Sequence, residues 1–155
     1  MPITLSNESS KRRRKMGFKV KIEAKETIEL GIETVETVVF DTDTPNDSNA
    51  RSTDLGMSML ITGKIRANIM GITDDTVKLP TWALVPAEDA NCYGKVTVDV
   101  IAGGKVVREI IFDTAYVISY TESFGDESGV GTFKLLVRQK KDKNNTVSYQ
   151  GGYDY

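Results

Sequence analysis

The chain has 155 residues, 39% of them apolar, and sets 20 Lys and Arg against 22 Asp and Glu for a net charge of −2. That is the length of one ordinary domain, apolar enough to bury a core without disulfides or metals and too weakly charged to stay unfolded. It contains no histidine and a single cysteine, Cys92, which excludes Ser-His-Asp and Cys-His nucleophiles, HExxH and finger-type metal sites, and an internal disulfide. Chemistry run by carboxylates, Lys, Tyr or a cofactor survives that test.

Residues 1–17, "MPITLSNESSKRRRKMG", show no periodicity and hold a basic cluster, Lys11, Arg12, Arg13, Arg14 and Lys15. These five cations leave the rest of the chain at −7. The arm is basic and the body acidic, so the arm reads either as a disordered tail or as an extension held in place by a neighbouring subunit. The remaining residues, 18–155, read as one β domain.

From Phe18 the pattern is strict alternation, with Phe18, Val20 and Ile22 apolar and Lys19, Lys21 and Glu23 between them, as in a half-buried strand. Ile28, Leu30 and Ile32 continue the period of two, and "TVVF" at 37–40 closes a second strand rich in β-branched residues. Then comes "DTDTPNDSNARSTD", Asp41 to Asp54, with nothing in it to anchor a core. A polar loop of this length inside a small domain is uncommon and usually functional. Asp41, Asp43 and Asp47 suggest a calcium loop, but Pro45 and Asn46 stand where the turn needs freedom and Ser52 replaces the bidentate Glu at the twelfth position. No metal and no cofactor is expected.

Met57, Met59, Ile61, Gly63 and Ile65 resume the alternation, against Ser58, Leu60, Thr62 and Lys64. "ITDDTVKLPTWALVPAED" is the one helical stretch, with Thr73 as N-cap, Asp74 and Asp75 in the first turn, and Pro80 and Pro86 keeping it short. A lone Trp82 on its apolar side reads as packing. Five strand-like runs follow: 95–101, 105–112, 115–120, 132–139 and 146–150. Gly103 and Gly104 between the first two mark a tight hairpin. The fold class is therefore mainly β, an antiparallel β-barrel of about eight strands with one short flanking α-helix and a long early loop; barrel closure removes sticky edges.

Nothing along this path carries catalysis. Glu88 with Asp89, and Asp126 with Glu127, lie in turn-like sequence where acids are solvated, and Cys92 lacks a histidine partner. The glycines of "AGG" and "GVG" have hairpin rather than phosphate-loop context. "KRRRK" can neutralise phosphates, and a small barrel with a basic arm suits single-stranded nucleic acid, although the acidic body repels the polymer.

The run "KLPTWALVPAEDANCYGKVTVDVIAGGKVVREIIFDTAYVISYTESFGDESGVGTFKLLVRQKKD" resembles the tube-forming proteins of contractile injection machines: phage tail tubes, phage-like particles and the Hcp tubes of type VI secretion. The likeness follows element order over about residues 18–150 and is closest over 79–142. It implies a β-barrel with one helix, six copies to a ring, and rings stacked into a hollow conduit without enzymatic activity. It also implies that a long loop reaches the adjoining ring, which places Asp41, Asp43, Asn46, Asp47, Arg51 and Asp54 at the inter-ring contact, with Lys11 to Lys15 as arm contacts. The arm has no counterpart among the family's features. Sheath and baseplate proteins are the further partners implied, with no membrane insertion of the subunit. Synthesis in the bacterial cytoplasm follows, with assembly into a phage tail or an injection particle released from the cell. The bore is expected to be polar, so that cargo slides freely. The alternative function is the nucleic-acid-binding barrel.

Overall fold

Period-two sequences place every second side chain on one face of a strand, and here those faces share one core. The computed structural model describes residues 16–44, 55–65, 75–127 and 129–151. Its strands are β1 (Met16–Glu23), β2 (Thr27–Leu30), β3 (Val35–Asp43), β4 (Gly56–Ile65), β5 (Gly94–Ala102), β6 (Lys105–Ser123), β7 (Gly131–Gln139) and β8 (Ser148–Gly151). One α-helix, α1 (Lys78–Ala83), follows a single 3₁₀ turn at Asp75–Val77. No helix among the described residues is long and apolar enough to cross a membrane.

All the pairings are antiparallel, in the order β2-β1-β5-β6-β7-β4-β3, with β8 added to β6. The sheet coils until its inner faces meet. Val20, Ile22, Val96, Val98, Ile110 and Phe112 from one half enclose a common core with Met59, Ile61, Phe133, Leu135 and Val137 from the other. Phe40 on β3 reaches across to Phe112 on β6, ring centroids 6.1 Å apart, and to Tyr149 on β8 at 5.6 Å. The hydrogen-bonded path nevertheless ends at β2 and at β3 without joining them. The closed barrel expected from strand number is, among the described residues, an open one with free edges.

Three element boundaries depart from the sequence reading. The strand expected to run from Ile28 to Phe40 is two strands, because the chain turns at Gly31, whose carbonyl accepts from the N–H groups of Thr34 and Val35 at 3.1 Å each. The segments 105–112 and 115–120 are one 19-residue strand, β6, in which Asp113 and Thr114 form a bulge between the Phe112 and Ala115 pairs rather than a turn. The polar loop starts later than Asp41, as β3 runs through Asp43 and pairs Asp41 with Ser58 and Asp43 with Gly56.

The helix is shorter than its polar flanks suggested. Thr73 lies outside the described residues, and Val77, at the N-cap, gives no side-chain cap. Asp75 instead ties the segment to β2, its Oδ2 accepting from Glu29 N–H at 2.9 Å while its Oδ1 lies 3.5 Å from Lys78 Nζ. Leu79 and Trp82 enter the core, and Trp82 Nε1 donates to the Cys92 carbonyl at 2.9 Å. The Gly103–Gly104 hairpin is as the sequence indicates, with φ of 59° and 76° joining Ala102 to Lys105. Two successive positive φ values suit glycine because it has no Cβ to clash with its own carbonyls.

Candidate assembly interface

Strand β6 belongs to both halves of the sheet. Its first part pairs with β5 up to Ala115, opposite Gly94, and its second part pairs with β7 from Ala115 to Ser123. Beyond Ala115 the side of β6 that faced β5 has no strand partner among the described residues. Strand β3 is likewise paired on one side only among the described residues, with β4. Four strands, β3-β4-β7-β6, thus form a segment with an unpaired edge at each end. An unpaired edge presents a row of backbone N–H and C=O groups, a template for another strand.

The face of this segment turned away from the core is laid out by the register. Val39 pairs with Leu60, Leu60 with Leu136, and Leu136 with Ser119, beside which Ile118 forms a bulge. Val39 is 51% exposed and Ile118 40%, with Leu60 and Leu136 half-buried between them. An apolar row therefore crosses all four strands. On one side of it lies the row Asp41, Ser58, Arg138 and Tyr116; on the other lies Thr37, Thr62, Lys134 and Thr121. The Thr37 and Thr62 hydroxyls are hydrogen-bonded to each other. Lys64, opposite Thr132, adds a further cation beyond them.

Of the predicted contact residues, Asp41 and Asp43 stand on β3 at its outer edge. Asn46, Asp47, Arg51 and Asp54 lie outside the described residues, as do Lys11, Arg12, Arg13, Arg14 and Lys15. No group of three His, Cys, Asp or Glu side chains able to hold a metal occurs among the described residues. Asp89 is structural: its Oδ1 accepts from Asn91 N–H at 2.9 Å and caps a 3₁₀ turn at Ala90–Cys92. Cys92 is buried, with its Sγ 3.7 Å from the Ala87 carbonyl. Burial first, then the neighbouring Asp89 carboxylate, pushes its thiol above the ordinary value and away from the reactive thiolate.

The sequence reading missed the apolar row, although a signal for it was present. A strand with one wet face should alternate, yet "VV" at 38–39, "LL" at 135–136 and "VI" at 117–118 double the apolar residue, and Leu60 occupies a polar position. Each departure puts one aliphatic side chain on the outer face. Asp99 and Glu109 were also missed. They face one another across β5 and β6.

No family model matches the chain, and no curated protein matches it. Among solved structures, a chain of the anti-feeding prophage (AFP) baseplate, determined by cryo-electron microscopy with six-fold symmetry, superposes with a TM-score of 0.53 over 87% of this chain and 93% of its own, at 10% identity. Hcp1 from Flavobacterium johnsoniae aligns over 88% of this chain and 99% of its own, with TM-score 0.49 and 19% identity. A chain of the PVC sheath-tube complex, an extracellular contractile injection system in its extended state, covers 88% and 89% with TM-score 0.46 and 15% identity. Likeness at such identities speaks to architecture alone: the mainly β, eight-stranded, one-helix fold described above is shared with the AFP baseplate chain.

Proposed function

We propose that this chain is a structural subunit of the inner tube of a contractile injection apparatus, working through contact with copies of itself rather than by catalysis. The observation that carries the reading is the pair of open edges on β3 and on the second half of β6. Neighbouring strands in the four-stranded segment are antiparallel, so β3 and β6 run in opposite directions. The β3 edge of one copy therefore meets the β6 edge of the next as a regular antiparallel pair. This is a head-to-tail contact, and such contacts close into rings or run on as helices.

Six copies are the natural closure, in keeping with the six-fold symmetry of the AFP baseplate that contains the similar chain. Four strands from each of six copies, at about 4.8 Å per strand, give a circumference of roughly 115 Å and a backbone diameter of roughly 37 Å, which strand tilt widens. The rest of the subunit lies on the core side of the segment and needs the larger circumference, so it packs outside and the free face lines the bore. Residues 44–54 leave from the end of β3 and supply the axial contact between rings, with sheath and baseplate proteins meeting the tube's outside and end. Synthesis in the bacterial cytoplasm and assembly into a tail or released particle complete this reading.

Negative-stain electron microscopy of the purified protein at high concentration tests it. Annular particles with six-fold symmetry and a central hole are expected, and uniformly monomeric particles would defeat the proposal.

A further inference from the structure

An edge strand of an antiparallel sheet points both backbone groups of every second residue away from its partner. Strand β2 is such an edge, at the end of the hydrogen-bonded path opposite β3. It pairs with β1 through Glu23–Thr27, Ile22–Ile28, Lys21–Glu29 and Val20–Leu30, and the groups turned outward belong to Thr27 and Glu29. Side chains already hold them there. Lys78 Nζ donates to the Thr27 carbonyl at 3.1 Å, and Glu29 N–H donates to Asp75 Oδ2 at 2.9 Å. Lys78 Nζ also lies 3.5 Å from Asp75 Oδ1, and the three-residue spacing puts both side chains on one side of the same turn. Leu79 and Trp82, buried in the core, fix that turn beside β2. The β3 margin carries no side-chain clamp of this kind among the described residues.

Resting on the reading of β3 and β6 as the joining edges, we infer that Asp75 and Lys78 direct assembly: they close β2 against a strand of a second copy and leave lateral pairing to β3 and β6. A strand added along β2, antiparallel or parallel, must bond to the Thr27 carbonyl and the Glu29 N–H, so it must first displace both side chains. Displacement strips a mostly covered carboxylate and a mostly covered ammonium group of their backbone partners, and that opposes it. The sequence of β2 makes the protection necessary. Thr27, Ile28 and Leu30 suit a strand, and neither proline nor a bulge blunts this edge. A copy attached at β2 would hold its own β3 and β6 in an orientation that no ring axis relates to the other subunits. Growth would then branch instead of closing.

Asp75→Ala with Lys78→Met removes both clamping groups. Light scattering across a concentration series compares this double variant with the wild type, and electron microscopy shows the form of the particles. The double variant is expected to raise the weight-average mass roughly threefold or more at the highest concentration and to give branched or irregular clusters. Adding Glu29→Pro is the discriminating step. Proline lacks the N–H that an added strand needs and is tolerated on an edge whose N–H faces outward, so the triple variant is expected to return to the wild-type distribution. A clamp that served folding alone could not be replaced by proline: a triple variant that clusters as much as the double overturns the inference. So does a double variant whose mass equals the wild type's at every concentration. Should the double variant not fold, Lys78→Met alone frees the Thr27 carbonyl and is expected to cluster in the same way to a smaller extent, again suppressed by Glu29→Pro. Wild-type protein without rings removes the ring reading, while the added association and its suppression still decide the clamp.

Discussion

Glu109 stands opposite Asp99 in the β5–β6 ladder, both half-buried, on the outer face of the sheet half that carries Lys19 and Lys95. Like charges directly across a ladder destabilise it. Asp99 Oδ1 is shielded from solvent and meets no donor, so a proton on Glu109 supplies one. That hydrogen bond to Asp99, then desolvation, then the Asp99 charge raise the Glu109 carboxyl above its ordinary range, against an opposing pull from Lys95. A raised pKa means that the folded state holds the proton more tightly than the unfolded chain. The stabilisation is complete below the ordinary carboxylate range and disappears as pH rises through the raised value. Glu109→Gln is therefore expected to raise the melting temperature near neutral pH and to leave it unchanged near about pH 4, where the wild-type side chain is already protonated. A gain of equal size at both values would point to a cause other than this carboxylate pair. Gly63 is a second position where one atom decides. A Cβ there would come within 2.2 Å of the Thr34 carbonyl and 2.7 Å of the Phe133 ring. Gly63→Ala is expected to destabilise the fold by about 2 kcal/mol or more in chemical denaturation, since backbone cannot move aside as a side chain can. The alternation of Met57 to Ile65 showed that Gly63 faces inward, but only the fold shows that the space is occupied by an aromatic ring from β7. Gln139 was equally illegible. It is fully buried, its Oε1 accepting from Thr114 N–H at 3.1 Å and its Nε2 donating to the Lys143 carbonyl at 2.8 Å, partners 25 and 4 residues away that no local pattern relates.

Strand existence was legible and strand partnership was not, for a physical reason. Period two reports burial on one face, and every strand here has that face, whereas pairing depends on where the chain returns after its turns. The Gly103–Gly104 hairpin could be read because the two residues that make it are adjacent. The merger of 105–112 with 115–120 could not, because Asp113 and Thr114 form a bulge whose place is set by the ladders on either side of it, not by local sequence. That merger creates the free half of β6, and with it the candidate interface. The edge pairing is open to cross-linking. In a Cys92→Ser background, Val39→Cys combined in turn with Ser119→Cys, Thr121→Cys or Ser123→Cys places thiols on facing edges, where opposed Cβ atoms come within about 5.5 Å of each other. At least one combination is expected to yield a disulfide-linked ladder up to six chains on non-reducing gels, and single-cysteine variants to stop at dimers. A series in which no combination passes the dimer would mean that β3 and β6 do not adjoin.

At the scale of the whole molecule, the proposed lateral and axial contacts rest on different physics. In the proposed assembly ring closure would use backbone hydrogen bonds and apolar packing, both insensitive to salt, while the polar segment after β3 would offer charges, and exposed ion pairs contribute at most about 1 kcal/mol each. Replacing residues 45–54 with a Gly-Ser linker of equal length is expected to leave rings intact and to abolish stacked tubes under electron microscopy. Loss of the rings themselves would give that segment a lateral role. The same asymmetry explains what an unaided reading of the chain can reach: Asp41 to Asp54 stands out as a polar interruption, yet the apolar row beside it hides inside strands that look ordinary. Finally, β6 runs without a break from the core half of the sheet, where β5 and β8 grip it, to the open margin next to β7. A thrust transmitted from one subunit to the next would travel along a single covalent backbone anchored at both ends. The bulges at Asp113–Thr114 and Ile118 interrupt the pairing along that backbone without cutting it.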